Sequence, residues 1–186
     1  QSFVLFERLS NAMENFKNIE NYVVQQQTGR VLTLLSGLHY FKLGHHEPSS
    51  SSLVAIWSKK SDWLLVKQEH KYTSSNINIV AFRGGIVVIN EAIGATVEQL
   101  VFNALSRSLR NDRAFMRNRK NLVGNANQAV FLAGDHLRIN IEVYRPRPQS
   151  EEQGFNYSGE LTVKIIHPEK APIKLAFESL RPTNPN

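Results

Sequence analysis

From Leu53 onward the chain repeats one pattern: a short apolar run, a turn signal, then another apolar run. Ile77–Phe82 and Gly85–Asn90 flank Arg83-Gly84-Gly85, and glycine supplies the positive φ that tight hairpin turns need. Leu53–Trp57 and Asp62–Tyr72 flank the polar turn Ser58–Ser61. Ala129–Leu132 and His136–Tyr144 meet at Gly134-Asp135, and Ile139, Ile141 and Val143 alternate with Asn140, Glu142 and Tyr144. Leu161–Ile166 and Ile173–Phe177 are split by His167-Pro168. Turns this short join antiparallel strands, because a parallel crossover needs about a dozen residues or more. Ile86–Ile89 is apolar on both faces, which predicts a central strand.

Two segments carry a helical period instead. Leu9, Met13, Phe16, Ile19 and Val23 recur at three and four residues, which predicts a helix over about 8–24. Val97, Leu100, Val101, Ala104, Leu105, Leu109 and Met116 predict a longer amphipathic helix over about 96–118. Thr96-Val97-Glu98-Gln99 has the form of a capping box at its start. The expected fold is therefore α+β: an antiparallel β-sheet or barrel built from hairpins, with the long helix and the N-terminal helix packed against it. The expected organisation is an N-terminal helical segment at 1–43, a linker at 44–52 (GHHEPSSSS), a β-rich domain with a central helix at 53–180, and a tail at 181–186, in one domain overall.

Charge adds a binding style. The net charge is +6, and residues 107–120 hold Arg107, Arg110, Arg113, Arg117, Arg119 and Lys120 against one acid, Asp112. At about 100° per residue the arginines fall opposite the apolar stripe, so one helix buries one face and offers the other to an anion or an acidic partner. A second candidate interleaves aromatic and basic side chains: Trp57, Lys59, Lys60, Trp63, Lys67 and Arg83, with Lys71, Tyr72 and Phe82 nearby. Aromatics that stack on bases beside cations are the pattern of single-strand nucleic-acid binders, and aromatics in a β core are its ordinary alternative.

Reactive chemistry has little to stand on. The chain has no cysteine, which removes disulfides, thiolate metal sites and cysteine nucleophiles. His45-His46-Glu47 is adjacent rather than spaced for converging ligands and sits in the serine-rich linker. Asp135-His136 supplies two members of an acid–base relay, but neighbours on a strand point to opposite faces and no serine sits in a nucleophile elbow. No glycine-rich phosphate loop is present. No apolar run approaches the roughly 18–20 residues of a membrane span, and Gln1–Phe6 lacks the basic start and apolar core of a secretory signal. The expectation is a protein with no catalytic residues, no metal and no cofactor.

Several stretches in order resemble a known family. They are DWLLVKQEHKY, the hairpin NINIVAFRGGIVVIN, the capped helix ATVEQLVFNALSRSL, the basic RNRKNLVGN, and the strands AVFLAGDHLRINIEVYRP and GELTVKI. Together with the opening FVLFER, this order is similar to the small β-barrel subunits of the Mediator head module, of the subunit-twenty and subunit-eighteen type; residues 25–52 depart from it. The resemblance implies a non-enzymatic scaffold in the nucleus that pairs with a related barrel, is tethered by a helix of a third subunit and contacts the transcription machinery. The alternative function is a basic single-stranded nucleic-acid-binding protein of organellar or viral origin, placed in an organelle matrix or the cytoplasm.

Overall fold

A computed structural model of the chain describes residues 3–8, 20–35, 52–69, 76–133, 135–146, 154–166 and 172–183. The chain divides into two compact units, Gln1–Gly94 and Ala95–Asn186. Strands dominate both. The sheets are antiparallel and open, so the described residues form a mainly β fold and close no barrel. The predicted linker at 44–52 lies outside the described residues.

The first unit holds two sheets. β1 (Phe3–Arg8), β2 (Glu20–Gln25) and β3 (Arg30–Leu34) pair in that order. Strand therefore replaces the predicted helix at Arg8 and over Glu20–Val24, while residues 9–19 lie outside the described residues. Tyr22, Val23 and Val24 suit a pleated surface, and β2 finds ladder partners on both sides, which outweighs a helical period in the sequence. The β2–β3 turn closes at Gly29, where φ is +65° and the amide donates to the Gln25 carbonyl at 2.9 Å.

β4 (Ser52–Trp57), β5 (Trp63–Glu69), β6 (Asn76–Arg83) and β7 (Ile86–Ala92) form a four-stranded meander in chain order. The turn at Gly84 and Gly85 has positive φ at both residues, as a two-residue hairpin requires. Both inner strands are buried on their two faces: every residue from Leu64 to Gln68 on β5 and from Ile77 to Phe82 on β6 is buried. Ile86–Ile89, predicted as the central strand, lies at the sheet edge instead, with Ile86 64% and Val88 45% exposed. An apolar run records that side chains are greasy; it does not record where its strand stands in the sheet. Val23 and Leu35 pack with Leu64, Val66, Val80 and Phe82, so the two sheets share one core. Asn90 also donates to Thr33 Oγ1 at 2.9 Å, and Arg30 to the Gly85 carbonyl at 3.3 Å.

The second unit begins with helices. The single long helix predicted over 96–118 is two helices, α1 (Gly94–Ser108) and α2 (Arg113–Asn118), followed by one 3-10 turn at Arg119–Asn121. α1 starts two residues before Thr96, so Thr96 stands inside the first turn rather than at the cap. The break comes at Asp112, whose carboxylate accepts from the Phe115 amide at 2.7 Å and starts α2 afresh. The apolar phase restarts with it: Phe115 is fully buried, and Met116, predicted on the buried stripe, is 50% exposed.

β8 (Val123–Phe131), β9 (His136–Tyr144), β10 (Asn156–Ile166) and β11 (Lys174–Pro182) then form a second four-stranded meander. Alternation is regular along β9, with Leu137, Ile139, Ile141 and Val143 buried and their neighbours half-exposed. Gly159 pairs with Ile141, and Leu161 and Val163 continue the same buried face on β10.

Gly159 has no room for a side chain. A Cβ there would meet the Tyr157 ring and would lie 2.9 Å from the Arg181 carbonyl of β11. Gly159→Ala is expected to destabilise the fold by about 1–3 kcal/mol, read as a shift in the urea midpoint; an unchanged midpoint would show that ring and strand yield freely. Burial also raises the Tyr157 hydroxyl above its ordinary value of 10.0, because the phenolate loses solvation. The folded state keeps that proton to higher pH than the unfolded chain does. The associated stabilisation is complete below pH 10 and is lost as pH rises through the folded value. Tyr157→Phe should flatten that part of a stability-against-pH curve.

Candidate functional site

The basic segment is assembled from three short elements. Arg107 lies in the last turn of α1, Arg110 in the connecting turn, Arg113 and Arg117 on α2, and Arg119 and Lys120 in the 3-10 turn. All six are exposed. The ion pairs found among the described residues, His136–Glu178 and Arg138–Glu160, involve none of them. Because α1 and α2 are separate, the cations do not form one stripe on one helix. They are spread over two helices, the turn between them and the 3-10 turn, on either side of the Asp112 break.

That path is held from below. Phe115 meets Phe155 edge-to-face with ring centroids 5.4 Å apart. Asn118 is buried; its amide donates to the Ala114 carbonyl at 2.8 Å, and its oxygen accepts from Arg145 Nη1 at 2.8 Å. Arg145, just beyond β9, thus fastens the end of α2, and the spacing along the chain offers no signal for it. Asp112, the one acid of the stretch, faces the Phe115 amide. Arg117 Nε reaches the Arg113 carbonyl at 3.3 Å.

The aromatic and basic set in the first unit is split by burial. Trp57 stacks on Phe82 with centroids 5.6 Å apart and packs against the core, and Trp63 is half-buried. Lys67, expected at a nucleic-acid contact, is 4% exposed and cannot reach a phosphate. It lies on β5, an inner strand whose residues from Leu64 to Gln68 are all buried, so both of its faces are covered. Lys59 and Lys60 in the β4–β5 turn and Arg83 beside the β6–β7 turn remain exposed at the same end of the meander. Arg30, not singled out in the sequence, joins them through its bond to Gly85. Lys71 and Tyr72 lie outside the described residues.

The polar face of the second meander carries a shallow recess of about 220 Å³ lined by Gln128, Ala129, Val130, Arg138, Asn140 and Glu160. Arg138 and Glu160 pair across it at 3.5 Å. His136 meets Glu178 at 2.9 Å rather than Asp135, whose backbone carbonyl accepts from the Ile165 amide at 2.6 Å. Asp135 and His136 therefore act in separate contacts and form no relay. Among the described residues no three carboxylate or imidazole groups gather as metal ligands would, and no helix is long and apolar enough to cross a membrane. His45, His46 and Glu47 lie outside the described residues.

No protein-family model matches the sequence, and no curated protein matches it.

Removal of the Asp112 carboxylate tests how the segment is held. Asp112→Ala is expected to cost about 1 kcal/mol of stability, the usual value of a helix cap. The loss should appear in chemical denaturation together with faster amide exchange over Phe115–Asn118; slow exchange retained there would show that the Phe155 and Arg145 contacts suffice.

Proposed function

We propose that the protein is a non-enzymatic interaction subunit of a larger macromolecular assembly, and that the segment Arg107–Lys120 is its docking surface. The observation that carries this reading is the exposure of all six cations on a segment anchored by Phe115, Asn118 and Arg145. A rigidly seated cationic surface favours an acidic partner and sets the rate and orientation of docking more than its strength. Apolar burial elsewhere on the partner would supply the affinity, at about 1.5–3 kcal/mol per large side chain.

The order of strands and helix resembles the Mediator head barrel subunits, so the particular assignment we propose is a transcription coactivator subunit acting in the nucleus. Its partners there would be a related barrel subunit and a tethering helix. A second reading is single-stranded nucleic-acid binding. The same six cations support it, with the exposed Lys59, Lys60 and Arg83 as further phosphate contacts.

Salt separates the two readings. Phosphate binding weakens with a log–log slope of about −0.7 per neutralised phosphate on a single strand. Purified chain should therefore be titrated with single-stranded RNA and DNA at several salt concentrations, beside a variant with Arg107, Arg110, Arg113 and Arg117 changed to Gln. The interaction-subunit reading expects weak binding with no dependence on these arginines, and co-purifying protein subunits that the variant releases. Tight binding with a steep slope that shrinks in the variant would replace it with the nucleic-acid reading.

A further inference from the structure

The outer strands of a sheet are normally guarded by charge, proline, a bulge or a covering element. Most outer strands among the described residues are guarded in this way. β11 carries Lys174, Glu178, Arg181 and Pro182, and its ladder shifts opposite Thr162/Val163. The β8 ladder shifts between Ala126 and Gln128. β7 has a shifted ladder, and its ends meet Arg30 and the Thr33–Leu34 segment through Gly85 and Asn90. β4 is different: it reads Ser-Leu-Val-Ala-Ile-Trp, with no charge, no proline and an unbroken register against β5.

The direction of its backbone groups follows from one bond. The Ser58 amide donates to the Trp63 carbonyl at 3.0 Å, just past the end of the β4–β5 ladder. Antiparallel bonding alternates along a strand. Val54 and Ile56 therefore turn their N–H and C=O groups toward β5, while Leu53 and Ala55 turn theirs outward. Val54 adds an apolar side chain that is 37% exposed.

We propose that β4 pairs antiparallel with β4 of a second copy of this chain about a two-fold axis at Val54, so that two four-stranded sheets become one continuous sheet. An axis normal to the sheet keeps like faces together and makes the contact self-complementary. Leu53 exchanges both backbone bonds with the partner's Ala55, and Ala55 with the partner's Leu53. The two Val54 side chains lie next to each other in the closer, non-hydrogen-bonded site. An uncharged strand suits a copy of itself, since no like charges meet; Lys59 and Lys60 lie beyond the paired residues.

The chain has no cysteine, so a substituted one is a unique reporter. Val54→Cys in the full chain should form a covalent dimer on mild oxidation, because facing non-hydrogen-bonded positions fit disulfide geometry. Ile86→Cys, at the exposed end of β7, should not. By sedimentation the unmodified chain should show a monomer–dimer equilibrium. Val54→Lys should weaken it about fivefold by opposing like charges, and Ala55→Pro should abolish it by removing an outward amide while the β5 ladder stays intact. Circular dichroism checks that both variants remain folded. A chain that is monomeric at its highest soluble concentration, a dimer that both variants retain, or growth into open-ended fibres would each overturn the proposal.

Discussion

Every ladder among the described strands joins neighbours in the chain. Within β1–β3, β4–β7 and β8–β11 consecutive strands bond to one another, always antiparallel. Backbone N–H and C=O groups cannot be buried unpaired, and a short turn lets each strand be satisfied by the one just made. That economy leaves sheets with free edges. Charges, bulges and side chains such as Asn90 then manage those edges, and among the described residues β4 carries no charge, proline or register shift.

The helical excursion between the meanders follows from a competition at one residue. The stretch Thr96–Lys120 has enough apolar period to continue as one helix. Asp112 offers its carboxylate to the amide three residues on, and that local bond competes with helix continuation. The chain breaks, Phe115 turns inward, and Met116 turns outward. The cations consequently sit on two helices, the turn between them and a 3-10 turn rather than on one helical stripe.

Hairpins were legible because they rest on local chemistry. Gly84 and Gly85 adopt the positive φ that the sequence demands, and the alternation of Ile139, Ile141 and Val143 becomes the buried face of β9. The exposure of the six cations between Arg107 and Lys120 could also be read, since charged side chains resist burial. The reading fails where a residue's fate depends on distant strands. Glu20–Val24 carries a helical period yet is held by ladders to β1 and β3, and Lys67 has an exposed lysine's chemistry but shares a buried face with Leu65.

The sequence by itself determined that this chain folds into antiparallel hairpins, that its positive charge concentrates in one segment, and that it holds no thiol. Turn φ values, side-chain alternation and side-chain charge are properties of residues and their near neighbours. Only the tertiary structure decided which strands are doubly buried, which strands stand at the sheet edges, and that Asn118 and Arg145 seat the basic segment. Those outcomes depend on pairing and packing between residues far apart in the chain, and no local pattern encodes which partner arrives.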